Sequence, residues 1–247
     1  MTTTVGSHRS GRRLLCIFLC LFTLPAWADS PIYLAGQYTL LITEASMMNY
    51  DVDNDSRADQ VRDRLESLDP EMQQWLATLP AAERTRLGDD WRGLRKAMLG
   101  DNDGAGLVHG YDGYLQSVYT LHRDSLRRAL LQAADEEAEG DLSETCVQMM
   151  RILASYMNVA ANPFGGFALS FEDKDTDLAR LVTEMDAHWE RLLRQETVPT
   201  VRSAHTKWQF IRSSILRATE ESLPFIVSYQ SRQILAQLGD EMGLSIR

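Results

Sequence analysis

Cysteine is nearly missing from this chain. It has three, and two of them, Cys16 and Cys20, lie in the first twenty residues. The third, Cys146, sits in the apolar helical stretch DLSETCVQMMRILASYM, a setting for a small core residue rather than a nucleophile. If the first two leave with a signal segment, no internal disulfide can form. Lysine is equally sparse: Lys96, Lys174 and Lys207 are all there is, so nearly all the positive charge is arginine. No apolar run after residue 28 is long enough for a membrane span. No stretch alternates apolar and polar residues far enough to argue for a sheet. Neither CxxCH, HExxH, GxSxG nor a phosphate loop occurs, so no enzyme and no cofactor is expected.

What the first residues do contain is an export signal. Arg9, Arg12 and Arg13 precede the apolar LLCIFLCLFTL, and Ala26-Trp27-Ala28 has the small-x-small order read by signal peptidase. Residues 1–28 are therefore expected to be cleaved, with Asp29 first in the mature chain; the rival reading is an uncleaved anchor. Leu19 before Cys20 is too large for a lipidation site. Residues 29–247 carry 22 basic against 35 acidic residues, a net −13. That balance disfavours nucleic acid and anionic membrane surfaces as partners. The expected address is the periplasm of a Gram-negative-like bacterium, with no stable membrane span after cleavage.

The remainder has helical period. LAGQYTLLITEASMMNY, VRDRLESLDPEMQQWLA, RLGDDWRGLRKAML and YLQSVYTLHRDSLRRALLQA repeat apolar residues at three and four, and four further stretches follow in the second half. Breaks fall at TLPAAE, GDNDGAG, AEGDLSE, NPFGGF and ETVPTV. The spacing predicts an all-α chain of about eight helices. An offset of 117 residues lays 61–99 over 178–216 without a gap, with Asp69/Asp186, Leu76/Leu193, Trp91/Trp208, Arg95/Arg212 and Leu99/Leu216 identical. LLITEASMMN fits MMRILASYMN at an offset of 109. We therefore expect two tandem, pseudo-repeated four-helix units, 29–138 and 139–247, forming a bundle.

Three patterns are candidate sites. DVDNDSRAD, residues 51–59, begins like a calcium loop, but Ser56 replaces the turn glycine and Arg62 stands where the bidentate acid belongs. Its acids are better read as caps at the start of a helix. Met47, Met48, Met149, Met150 and Met157 gather on the first helix of each unit; thioethers can bind copper, yet core filling is the simpler use. Finally, Trp91, Arg95 and Leu99 share one helix face, as do Trp208, Arg212 and Leu216. If the helices on either side of Pro80 and of Pro199 are antiparallel hairpins, Asp69 lies level with Arg95 and Asp186 with Arg212. These four are expected to be structural ion pairs, or else arginines that hold an anion.

The sequence thus points to an exported, non-enzymatic binding, adaptor or sensor-like protein. Its partner would be another protein or a small ligand in the periplasm. The alternative is a metal-binding protein, with calcium at 51–59 or copper at the Met pairs. The architecture is similar to that of periplasmic helical sensor domains, a likeness of fold.

Overall fold

The computed structural model describes residues 30–48, 55–100, 106–109, 112–160, 177–195 and 198–247. Among them are eight α-helices and no strand: α1 (Pro31–Met48), α2 (Asp55–Thr78), α3 (Ala81–Leu99), α4 (Gly113–Glu137), α5 (Asp141–Ala160), α6 (Leu178–Gln195), α7 (Pro199–Leu216) and α8 (Pro224–Glu241). A single 3-10 turn, Leu107–His109, lies between α3 and α4.

Local signals explain the ends. Pro199 and Pro224 open α7 and α8, where the missing N–H has no intrahelical partner to lose. Asp112 caps α4, its carboxylate accepting the Leu115 N–H at 2.8 Å. At the end of α8, Gly243 takes φ +74°. This lets the Leu244 N–H reach the Gly239 carbonyl at 2.8 Å and the Gly243 N–H reach that of Asp240 at 3.1 Å. Helix α2 runs through Pro70, which interrupts the ladder without ending it.

The core is built around two helices. α1 and α5 are apolar nearly all round and buried on nearly every side, as a helix enclosed by others must be. Two hydroxyls of α1 are satisfied within the helix: Thr43 donates to the Thr39 carbonyl and Ser46 to that of Ile42, both at 2.7 Å. α1 packs on α5. α2 and α4 lie against α1, while α6 and α8 lie against α5. α3 covers α2 and α4 from outside, as α7 covers α6 and α8. Across the centre, α4 also touches α5 and α8 touches α1. Trp91, Trp189 and Trp208 are fully buried between these layers.

Cross-helix bonds give the directions. Glu137 accepts the Ile32 N–H, and Tyr38 donates to the Arg123 carbonyl, so α4 runs antiparallel to α1. Gln148 to the Leu181 carbonyl and Arg191 to Asp141 do the same for α5 and α6. The chain therefore runs up and down, and the ends of α1 and α5 lie at one end of the bundle with the starts of α2, α4 and α6. After α8 the tail turns back into the core. Ile246 is fully buried, and a Cβ on Gly36 of α1 would stand 2.8 Å from its Cγ2, so only glycine leaves room for it. No described helix is long and apolar enough to cross a membrane.

Candidate functional site

The four residues singled out by the 117-residue offset meet in pairs. Arg95 Nη1 lies 2.8 Å from Asp69 Oδ1, and the Trp91 indole N–H donates to that same oxygen at 2.6 Å. Arg212 grips Asp186 with two nitrogens, Nε at 2.8 Å and Nη2 at 2.6 Å from Oδ2, and the Trp208 indole donates to Oδ1 at 2.9 Å. The bond to Asp186 holds the Arg212 guanidinium above its ordinary pKa. One aspartate thus ties a tryptophan and an arginine of the next helix together, twice. All four charged side chains are about a third exposed and lie on the outer hairpins.

The other sequence candidates fall differently. Residues 51–54 lie outside the described residues. Asp59, in the first turns of α2, is exposed and pairs with Arg62 at 2.5 Å. Met47, Met149, Met150 and Met157 are buried within the core, with Met48 at its edge. Among the described residues no group of three His, Cys, Asp or Glu side chains could hold a metal ion. Cys146 is fully buried, and burial pushes its thiol up to about 12, far from thiolate chemistry. His122 and Ser125 of α4 both turn to Asp90 of α3, at 2.9 and 2.5 Å. Ser125 therefore faces the acid and not the imidazole, which is not the arrangement that activates a hydroxyl.

The polar opening in the bundle lies elsewhere, between α1, α4 and α5. Ser46, Arg123, Asp124, Arg127, Ser155 and Asn158 line it, with Ile42, Ala154 and Met157 as its apolar part. It is partly enclosed, with room for about one water-sized group. Arg123 and Arg127 are each only 7% exposed. Arg123 is held from several sides. Its Nη2 donates to Asn158 Oδ1 at 2.8 Å, its Nε to Asp124 Oδ1 at 3.0 Å, and its guanidinium carbon stands 5.7 Å from the centre of the Tyr119 ring. Burial opposes the charge on Arg123, but Asp124, Tyr119 and Tyr38 outweigh it and hold the group above its ordinary pKa. Burial likewise drives the Tyr119 phenol up to about 12, with Arg123 opposing.

A second buried charge lies on α1. Glu44 is 3% exposed, and its carboxylate accepts Arg64 Nε at 2.8 Å, Arg64 Nη2 at 3.0 Å and Arg232 Nη2 at 2.7 Å. Arg64 also binds Gln37 and the Arg247 carbonyl, so this acid is closed in by α2, α8 and the tail.

Sequence reasoning passed over Arg123, Arg127 and Glu44. The signal was present. Tyr119, Arg123, Leu126, Arg127, Leu130 and Ala134 recur at three and four, so the two arginines fall on the apolar stripe of their helix. Glu44 is the single charge in LLITEASMM.

Helix α8 supplies an internal control. A shift of 108 residues superposes its buried positions on those of α4: Tyr119/Val227, Arg123/Ser231, Leu126/Ile234, Arg127/Leu235, Leu130/Leu238 and Leu131/Gly239. Where α4 buries two guanidiniums, α8 buries a serine and a leucine. Packing in this position is therefore possible without an arginine. No protein-family model, no curated protein and no solved structure matches the chain.

Proposed function

We propose that this is a non-enzymatic binding protein of the periplasm, used as a sensor or adaptor, whose ligand is a small oxyanion held in the Arg123–Arg127 cleft. The observation that carries this reading is the pair of guanidinium groups, each 7% exposed, on the wall of a small, partly enclosed cleft that no more than the charged end of a ligand would enter. The chain has a net charge of −10, so such a pair is against its general composition. Guanidinium forks match carboxylates and similar oxyanions two bonds at a time, and they do so best where water is scarce. Ser46, Ser155 and Asn158 add polar groups to the same wall.

Other parts of the proposal have their own support. Export rests on the Arg–apolar–AWA order of residues 9–28, and mass spectrometry of protein recovered from cells should find Asp29 first. The absence of catalysis rests on the inert Cys146 thiol and on Ser125 facing Asp90. We read 29–138 and 139–247 as two copies of one four-helix unit. In support, the Trp–Asp–Arg arrangement recurs at the 117-residue offset, and α4 sits against α1 and α3 as α8 sits against α5 and α7.

The test is thermal unfolding of the purified protein in sodium formate, acetate, sulfate and phosphate at equal ionic strength. An anion that binds only the folded state raises the midpoint, with the logarithm of its concentration once the site is filled. Formate or acetate is expected to raise it by a few degrees, and Arg123→Met, checked for native helicity, to abolish the rise. Equal midpoints in all four salts, or a rise that survives Arg123→Met, would refute the cleft as an anion site.

A further inference from the structure

The cleft already contains an anion of its own. Asp124 Oδ1 lies 3.0 Å from Arg123 Nε, 2.9 Å from Arg123 Nη2 and 3.9 Å from Arg127 Nε. Its single oxygen Oδ1 lies across the Nε–Nη2 edge of the Arg123 fork, an edge that an incoming carboxylate could take with both of its oxygens. Its exposure differs from theirs: the Asp124 side chain is 35% exposed, the two arginine side chains 8%. The guanidiniums form the inner wall, and the carboxylate reaches in from the mouth. Among the described residues, that carboxylate is held by these two guanidiniums alone. Rotation about its own side-chain bonds would return it to water and uncover the fork.

We infer that Asp124 is the cleft's built-in competitor and sets which anions enter: a singly charged oxyanion, the carboxylate end of a small molecule, takes its place on Arg123. This rests on the reading of the cleft as an anion site. A ligand of one negative charge replaces Asp124 like for like once the aspartate has swung out. A doubly charged anion brings one more negative charge past an acid that stays at the mouth. Selectivity of this kind comes from a repulsive element as much as from an attractive one. Competition also lowers the apparent affinity by the fraction of time the fork is uncovered, so removing the competitor tightens binding.

The experiment compares the wild-type protein with Asp124→Asn, titrating sodium acetate and sodium sulfate by calorimetry at constant ionic strength. Asn keeps the volume and loses the charge. Acetate is expected to bind Asp124→Asn about tenfold tighter than wild type, as for a fork covered nine-tenths of the time. Sulfate is expected to gain more than acetate does. Without added anion the variant should unfold at a lower temperature than wild type, because the charge on Arg123 has lost its partner. Acetate should restore the difference, a recovery that a merely structural aspartate would not give. If wild type binds acetate through Arg123 but Asp124→Asn binds it no better, the competitor role is wrong and the anion site stands. If neither protein binds any anion, the reading of the cleft fails with it.

Discussion

Two charges buried on or beside the central helices are opposite in sign. On one side Glu44 of α1 is buried and Arg232 of α8 comes in from the rim. On the other, Arg123 of α4 is buried and Asp124 comes in from the mouth. In the shift that superposes the buried faces of α4 and α8, Asp124 and Arg232 are the same position. The surroundings differ. Glu44 takes three charged hydrogen bonds from two arginines and is sealed by the tail, whereas Arg123 looks into a cleft. A buried charge saturated by fixed partners specifies a packing arrangement. One whose partner sits at a mouth can exchange it, and that is the difference between a clamp and a site.

The largest effect should come from breaking the clamp. Glu44→Gln leaves Arg64 and Arg232 facing a neutral amide in a closed place. The expected loss is about 3 kcal/mol, the lower end for a buried pair, since Arg232 is itself one-third exposed. Urea unfolding measures it; a loss below about 1 kcal/mol would show that Glu44 is no more than a surface pair. The cleft should depend less on its charge. Arg127→Leu copies the residue of α8, Leu235, into the matching place on α4. Asp124 keeps Arg123, which stands closer to it at 2.9 Å than Arg127 does at 3.9 Å, and the matching place on α8 packs a leucine. The expected loss is therefore below about 2 kcal/mol, less than for Glu44→Gln, while the response to acetate weakens. A loss above about 2 kcal/mol would mean that the fold needs the guanidinium, and the contrast between α4 and α8 would lose its functional meaning.

Smaller effects are expected where the two outer hairpins agree. Double-mutant cycles on Asp69/Arg95 and on Asp186/Arg212, using Asn and Met, should each return a coupling of about 0.5–1 kcal/mol. Exposure near one-third for all four side chains sets that scale, well below the cost of breaking a fully buried pair. Asn still accepts the tryptophan indole N–H, so the cycle isolates the charge. Couplings that differ by more than about 0.5 kcal/mol would show that the two arrangements are alike in geometry only.

The hairpin pairs could be read from the sequence because they depend on two quantities that sequence supplies. One is helical period, and the other is the position of the turn, which fixes what stands level across a hairpin. Asp69 and Arg95 are centred beside Pro80, and Asp186 and Arg212 on Pro199, so local information sufficed. The eight helices were legible for the same reason. The cleft depends on non-local facts. Arg123 and Arg127 lie on a stripe that could as well have been the edge of the apolar face, their stems buried and their heads in water. The approach of α1, which brings Ile42 and Ser46, and of α5, which brings Asn158 to Arg123, makes that place an interior. Glu44 was hidden likewise: its two partners come from residues 20 and 188 positions away.

The smallest effect sets the two outer hairpins against each other in pH. The 117-residue offset puts Glu71 of α2 and His188 of α6 in one column, and burial pushes both toward their neutral forms. Burial raises the pKa of Glu71 above 4.5, with the bond from Tyr33 opposing. For His188, burial lowers it below 6.5, helped by Arg191 and opposed by Glu144, Asp141 and Glu184. The signs of the stability terms are then opposite. A carboxyl raised in the fold contributes stability that is full below 4.5 and lost as pH rises through the folded value. A histidine lowered in the fold contributes stability that is full above 6.5 and lost as pH falls through the folded value. His205, lowered by burial against Asp186, adds to the second term. Urea unfolding at closely spaced pH values should show Glu71→Gln flattening the curve just above 4.5, and His188→Gln flattening it just below 6.5. If either variant keeps the wild-type slope in its own window, that side chain is hydrated in the folded state and its half of the contrast fails. If the two variants change slope in the same direction, burial is not what governs the column.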